Sequence, residues 1–302
     1  MCCLFGIYDY GHSLTAAQKK RLVSALAVAS EDRGTDATGI AYNHNGHLTV
    51  YKRPYPAHLM RFKLPDDALC VMGHTRMTTQ GDEKHNYNNH PFEGTAGIPF
   101  ALAHNGVLYN DLTLRKDKKL PRTRIETDSY VAVQLLAQQD DLSFRSIRSA
   151  VEPLRGTLTL SVLDSRDNLY IIKGNNPLTL YNFPRMGLCV YASTEQILKK
   201  GLKKGMPRME QPFEVMLREG DILRIDRQGQ YSVERFDTRN LWDGTAHFSW
   251  PYWDVYAGQD EYINDLKSVA SAYGYTPHDI DVFLGYGLCP EEIEEILCCG
   301  EV

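Results

Sequence analysis

The chain has 302 residues, room for one large domain or one domain with a small appendage. Hydrophobic residues make up 43% and charged residues 24%, the balance of an ordinary globular protein. Its 38 acidic and 33 basic residues leave a net charge of −5, which excludes a general attraction to nucleic acid.

No apolar run approaches the about 20 residues that span a membrane, and no basic stretch leads into an apolar core at the N-terminus as in a secretory signal. The seven cysteines (Cys2, Cys3, Cys70, Cys189, Cys289, Cys298, Cys299) are an odd number without C-x-x-C spacing. That pattern suits a reducing compartment and argues against a zinc site. The expected location is the cytoplasm, with no metal and no cofactor.

The chain opens Met1-Cys2-Cys3-Leu4-Phe5-Gly6. Removal of Met1 would leave Cys2 with a thiol and a free α-amine on one residue. The amine, with a pKa of about 7.7–8.0, can take the proton of a thiol of pKa about 8.5, so this residue carries its own general base. Leu4 to Tyr8 predicts a strand that buries the terminus. Residues 15–30 predict a helix with Leu22, Ala25, Leu26 and Ala29 on one face. A polar turn at 31–41 leads into two alternating runs around Asn45-Gly46, a hairpin signal. A short helix is expected at 56–62, then a buried strand at 70–76, a long polar loop at 77–89, and an apolar strand at 100–106 that ends in a polar turn. Residues 111–121 read as a basic loop. Thr127-Asp128-Ser129 reads as the cap of a helix carrying Val131, Val133, Leu135 and Leu136, and 143–152 as a second helix.

From Gly156 the pattern turns to four strands, a short helix at 193–200 and closing strands at 214–227 and 230–236. Strands around central helices, with helices at the ends, predict a layered α+β domain over residues 2–236. Residues 237–260 form an aromatic linker holding Trp242, Trp250 and Trp253. Residues 261–302 predict a small tail of three short helices with an apolar set that includes Ile263, Leu266, Ile280, Phe283, Ile293 and Leu297. The tail would either pack back on the main domain or form a small docking bundle, similar in pattern to a ubiquitin-associated domain.

A series of motifs runs in order along residues 2–236. It comprises Cys2 with Leu4-Phe5-Gly6-Ile7, Arg33-Gly34-x-Asp36-x-x-Gly39, Gly73-His74-Thr75-Arg76-x-x-Thr79-x-Gly81 and Asn89-His90-Pro91. His104-Asn105-Gly106, Thr127-Asp128-Ser129, Ala192-Ser193-Thr194-Glu195 and Leu217-Arg218-Glu219-Gly220-Asp221 follow. One such motif is weak, whereas the whole series resembles the class II glutamine amidotransferase domain. The resemblance implies a four-layer αββα N-terminal-nucleophile hydrolase sandwich with a small helical C-terminal appendage. It implies hydrolysis of the side-chain amide of L-glutamine through a Cys2 thiolate and a glutamyl-thioester. Cys2, Asn105 and Gly106 would be catalytic, the Asn105 amide and the Gly106 N–H serving as oxyanion donors. The alternative for His104-Asn105-Gly106 is a plain turn.

Arg76 would hold the substrate carboxylate, since its planar fork suits that group as Lys does not. Thr79 and Gln80 would assist it, and Asp128 would bind the α-ammonium. Asp at a helix start is also a common N-cap, and both roles are compatible. Arg33, Asp36, His74 and His104 would support the site from behind. The other histidines, apart from His90, read as surface or turn residues without metal spacing. Two departures stand out: Met77-Thr78-Thr79-Gln80 replaces the family's usual Trp-containing loop, and Cys3 stands where glycine is common.

Relatives pass ammonia to an acceptor domain, and residues 237–302 are too few for one. The expected partner is therefore a separate ammonia-accepting ligase or transferase, with no nucleic acid and no membrane. The alternatives are a free-standing γ-glutamyl or related amide hydrolase, or a non-catalytic glutamine-sensing module.

Overall fold

Three separate apolar clusters set the architecture of the N-terminal unit. In the computed structural model, residues 2–207, 210–241, 263, 266–267, 269–285, 288 and 290–299 are described. The chain divides into two compact units, Met1–Gly244 and Thr245–Val302. In the first, β1 (Cys3–Asp9), β2 (Ala37–His44), β3 (His47–Arg53), β4 (Cys70–Arg76), β9 (Thr179–Phe183), β10 (Leu188–Ala192) and β11 (Phe213–Glu214) form a seven-stranded antiparallel sheet ordered β11-β9-β10-β1-β4-β2-β3. A second, six-stranded sheet is ordered β13-β12-β8-β7-β6-β5. Its strands are β5 (Phe92–Ala96), β6 (Ile98–Leu108), β7 (Gly156–Asp164), β8 (Leu169–Lys173), β12 (Asp221–Ile225) and β13 (Tyr231–Arg235).

Side chains alternate along β1, and both of its faces are buried. Leu4 and Tyr8 point into the cluster between the sheets, with Met72, Ala103, Leu163 and Tyr191. Cys3, Phe5 and Ile7 point the other way, into a cluster with Leu22, Leu26 and Leu198 under α1 (Ala16–Ala29) and α5 (Glu195–Gly205). A third cluster packs Phe100, Leu102 and Val162 of the second sheet against α3 (Tyr130–Ala137) and α4 (Phe144–Val151). The layers are thus helix, sheet, sheet, helix, the expected αββα sandwich.

Local chemistry sets the boundaries. Thr15 and Gln18 form a reciprocal capping box at the start of α1. The β2–β3 hairpin closes through Asn45 and Gly46 at φ of 49° and 76°, as the Asn-Gly pair predicts.

Several boundaries differ from the sequence expectation. The basic stretch after Asp111 begins as a helix, α2 (Asp111–Asp117), because Leu114 is buried and Arg115 pairs with Asp111 one turn back at 3.7 Å. Its density of charge masked that single apolar anchor. His104 to Gly106 lie inside β6 and not in a turn. The expected strand at 214–227 is interrupted: β11 ends at Glu214, and β12 starts only at Asp221, after a turn at Gly220 with φ of 90°. The helix expected at 56–62 is a single 3-10 turn, Ala57–Leu59, and α5 runs further than predicted, to Gly205. Thr127-Asp128-Ser129 supplies no side-chain cap to α3.

In the second unit a 3-10 turn (Ala270–Tyr273), α6 (Pro277–Gly285) and α7 (Pro290–Cys299) enclose Leu266, Ala270, Ile280, Ile293 and Leu297. Trp242, Trp250 and Trp253 lie outside the described residues.

Phe5 sits opposite Gly73 across the β1–β4 pair, and a Cβ on Gly73 would lie 2.3 Å from the Phe5 ring. Gly73→Ala is therefore expected to destabilise the unit by about 1–3 kcal/mol, read as a lower urea midpoint at unchanged slope. An unchanged midpoint would show that the ring has room to move.

Candidate active site

The β1–β4 register pairs Cys3 with Thr75, so Cys2 and Arg76 emerge at the same end of the first sheet. The half-buried Cys2 thiol donates to Met77 O at 3.4 Å, and Arg33 Nε donates to Cys2 O at 3.0 Å. Asp36 N–H donates to Arg76 O at 3.0 Å, and the Asp36 carboxylate accepts from Thr78 N at 2.6 Å. Between them, Gly34 lies flat on β4: a Cβ there would sit 2.5 Å from the Arg76 carbonyl carbon. The Arg33-Gly34-x-Asp36 motif is thus a brace for the start of the 77–89 loop. Burial pushes the Cys2 thiol pKa up, while the Arg76 charge acts in the opposite direction.

The second sheet brings Asn105 and Gly106 to the same region. Asn105 is buried, and its side-chain amide donates to Ser193 Oγ at 3.4 Å. That hydroxyl also accepts from Leu4 N at 2.9 Å, and Ser193 N–H donates to Leu4 O at 2.9 Å. One serine therefore couples the Asn105 amide to the backbone two residues from Cys2. Gly106 has φ of 146°, and a Cβ would lie 2.0 Å from Thr157 O, so no other residue fits. His104 Nε2 donates to Thr157 O at 3.2 Å, which leaves Nδ1 to accept from the Ser129 hydroxyl at 2.8 Å. His74 Nε2 donates to His104 O at 3.0 Å.

Two buried charges of opposite sign lie in this region without an ion partner. Arg76 is 3% exposed, and its guanidinium donates to Asn89 Oδ1 (2.7 Å), Gln80 O (2.5 Å) and Gly81 O (2.9 Å). Nε–H and one Nη1–H have no partner among the described residues. A carboxylate gripping the fork through Nη2 would have to displace a loop carbonyl. Asp128 is 4% exposed, accepts from Leu108 N at 2.6 Å, and meets no cation among the described residues. It acts on Arg76 only at a distance. Gln80 ties the two halves together, since its side-chain oxygen accepts from Asp128 N at 2.8 Å.

Cys2, Arg33, Asp36, Arg76, Gln80, Asp128, His74, His104 and Asn105 are thus joined in one hydrogen-bonded neighbourhood. Thr79 is exposed on the loop, and none of the described contacts ties its side chain to the others. Three residues essential to the geometry were not given roles on sequence grounds. Ser193 and Ser129 were visible only as motif letters, and Asn89 only as the residue before His90-Pro91. The polar flank of a buried strand was the available signal for Ser193.

Behind Arg76, the His74 and His90 rings lie tilted against each other at 4.2 Å, and His90 packs on Phe92 at 4.4 Å. Neither ring nitrogen of His90 has a partner among the described residues. Burial lowers His74 to about 3, His90 well below the usual value, and His104 in the same direction. These rings are neutral when folded, whereas in the unfolded chain each binds a proton near pH 6.5. Stability is therefore full above about pH 6.5 and falls as the pH drops toward the folded value of about 3 for His74, by up to about 1.4 kcal/mol per pH unit per histidine. Urea unfolding between pH 7 and pH 5 is expected to show this loss, with a shallower slope in His90→Phe, whose ring replaces a packed one. Equal slopes in the two proteins would remove His90 from the account.

No family model matches the chain. A glutamine–fructose-6-phosphate aminotransferase (isomerizing) of Listeria innocua is 33% identical over 158 residues, 50% of this chain and 26% of the relative. The enzyme of the same name from Staphylococcus epidermidis is 31% identical over 188 residues, 59% of this chain and 30% of the relative. This chain therefore spans less than a third of the length of these curated relatives. Among solved structures, the glutamine phosphoribosylpyrophosphate amidotransferase of B. subtilis superposes with a TM-score of 0.60 at 19% identity, over 79% of this chain and 50% of its own. That likeness establishes the shared fold. Taken with the motif series in its folded positions, the Met1–Gly244 unit is thus similar in sequence to the glutamine–fructose-6-phosphate aminotransferases and in fold to the glutamine phosphoribosylpyrophosphate amidotransferase.

Proposed function

We propose that this unit hydrolyses the side-chain amide of L-glutamine, with Cys2 as nucleophile, and releases ammonia for an acceptor enzyme outside these residues. The observation that carries the reading is the pair of buried, unmatched charges. A guanidinium and a carboxylate, each taken out of water without a counter-ion, are costly to keep. An α-amino acid offers a carboxylate for Arg76 and an ammonium for Asp128, and so offsets both costs at once. A substrate with only one charged end leaves one of them bare.

In the proposed reaction, removal of Met1 frees the Cys2 amine, which takes the thiol proton. The thiolate adds to the amide carbon of glutamine, and the Asn105 amide and Gly106 N–H receive the developing oxyanion. The resulting Cys2 ammonium gives its proton to the departing nitrogen, leaving a glutamyl-thioester and ammonia. Water, activated by the same amine, then releases glutamate.

The test is the intact mass of purified protein before and after a diazoketone analogue of glutamine. Loss of Met1 with one adduct on Cys2 is the expected result. Cys2→Ala should take no label and lose roughly a thousandfold or more of glutaminase activity while keeping its unfolding midpoint. A processed native terminus that stays unlabelled would contradict glutamine recognition and favour hydrolysis of a larger γ-glutamyl amide.

A further inference from the structure

The residue that holds Arg76 in place is itself held from the edge strand of the first sheet. Lys52 lies on β3 opposite Gly39 of β2. A Cβ on Gly39 would sit 2.1 Å from His90 O and 2.8 Å from Lys52 Cβ, so the 89–91 segment crosses that glycine backbone against backbone. Lys52 Nζ reaches over this crossing and donates to Asn89 O at 2.5 Å and Pro91 O at 3.0 Å. It also stands 4.9 Å from the centre of the Phe92 ring. Asn89 is fully buried, and its side chain bridges Arg76 Nη1 (2.7 Å) and Glu83 O (2.8 Å). Lys52 thus grips the backbone of the one side chain that fixes the Arg76 fork, and it has no ion pair among the described residues.

We propose that Lys52 is a positioning residue for substrate binding: its ammonium clamps the 89–91 backbone so that Asn89 presents Arg76 to the substrate carboxylate. This rests on the glutaminase reading given above. Charge-assisted bonds to the two carbonyls are stronger than those of a neutral amine, so the clamp depends on the proton. Burial lowers Lys52 to about 8, with Glu93 opposing the shift and Arg76 adding to it. The buried His74 and His90, the other titratable groups facing it, are neutral in the folded protein above pH 7 and add no competing charge there. The KM for glutamine accordingly rises as the pH passes about 8, where the folded-state ammonium loses its proton.

The experiment compares steady-state glutamine hydrolysis by the processed native protein, Lys52→Met and Lys52→Arg. Lys52→Met is expected to raise KM about tenfold with kcat within about twofold, since two buried carbonyls lose a charged donor and substrate binding is weakened. Lys52→Arg should restore most of the KM and, keeping its charge, should abolish the rise near pH 8. In an Asn89→Ala background, Lys52→Met should add little, because both changes break the same link. Multiplying effects, or a fall in kcat at constant KM, would overturn the proposal. If Lys52→Met folds poorly, the native and Lys52→Arg pH profiles decide it alone: equal rises in KM would contradict the clamp. Should the native protein hydrolyse no glutamine, the glutaminase reading fails separately. Hydrogen exchange of residues 77–91 then tests the clamp, faster exchange in Lys52→Met supporting it and unchanged exchange refuting it.

Discussion

The antiparallel pairing of β1 with β4 is the constraint on which the site depends. It places the first residues of the chain, normally the most mobile part of a protein, between two fully buried strands, with Cys3 against Thr75 and Leu4 against His74. A terminus so fixed suits the role proposed for Cys2, whose thiol is held in one place. The same register delivers Arg76 and the root of the 77–89 loop to that place. Glycines at 6, 34 and 73 permit the close backbone and ring contacts that hold it there.

Around this fixed end the protein keeps two opposite charges apart. Arg76 is surrounded by neutral carbonyls and the Asn89 amide, and Asp128 is held by the Leu108 main-chain N–H. Letting them meet would satisfy both and leave nothing for a ligand. Gln80 stands between, its main-chain carbonyl taking a proton donor from Arg76 and its side-chain oxygen taking one from Asp128. The loop is therefore structured by the residues proposed to bind substrate. Ser193 plays the matching part on the other side, joining Asn105 to the β1 backbone.

Much of this was legible in the sequence because its signals are local. Strand alternation, the Asn45-Gly46 turn and the ordered motif series pointed to the layers and to most of the residues that the fold gathers around Cys2. What sequence could not give were interactions set by distant chain segments. The Asp128 carboxylate bonds a strand twenty residues back, so it reads as a helix cap until the fold is known. Lys52 is one lysine on an alternating edge strand, and only the crossing of 89–91 over Gly39 reveals its task. The helix at Asp111 was hidden by its charges, since a single buried leucine and one ion pair stabilise it. The break at Gly220 was masked by strand-like residues on either side.

The measurement that bears most directly on the central claim is calorimetric binding to processed Cys2→Ala protein. The ligands would be L-glutamine and two amides that each keep one charged end, 4-aminobutanamide and glutaramic acid. Two buried, unmatched charges predict that each truncated amide binds at least about a hundredfold more weakly than glutamine, because either one leaves a buried charge without a partner. Near-equal binding of glutamine and either truncated amide would contradict the account, and would mean that Arg76 and Asp128 serve the loop and not the ligand.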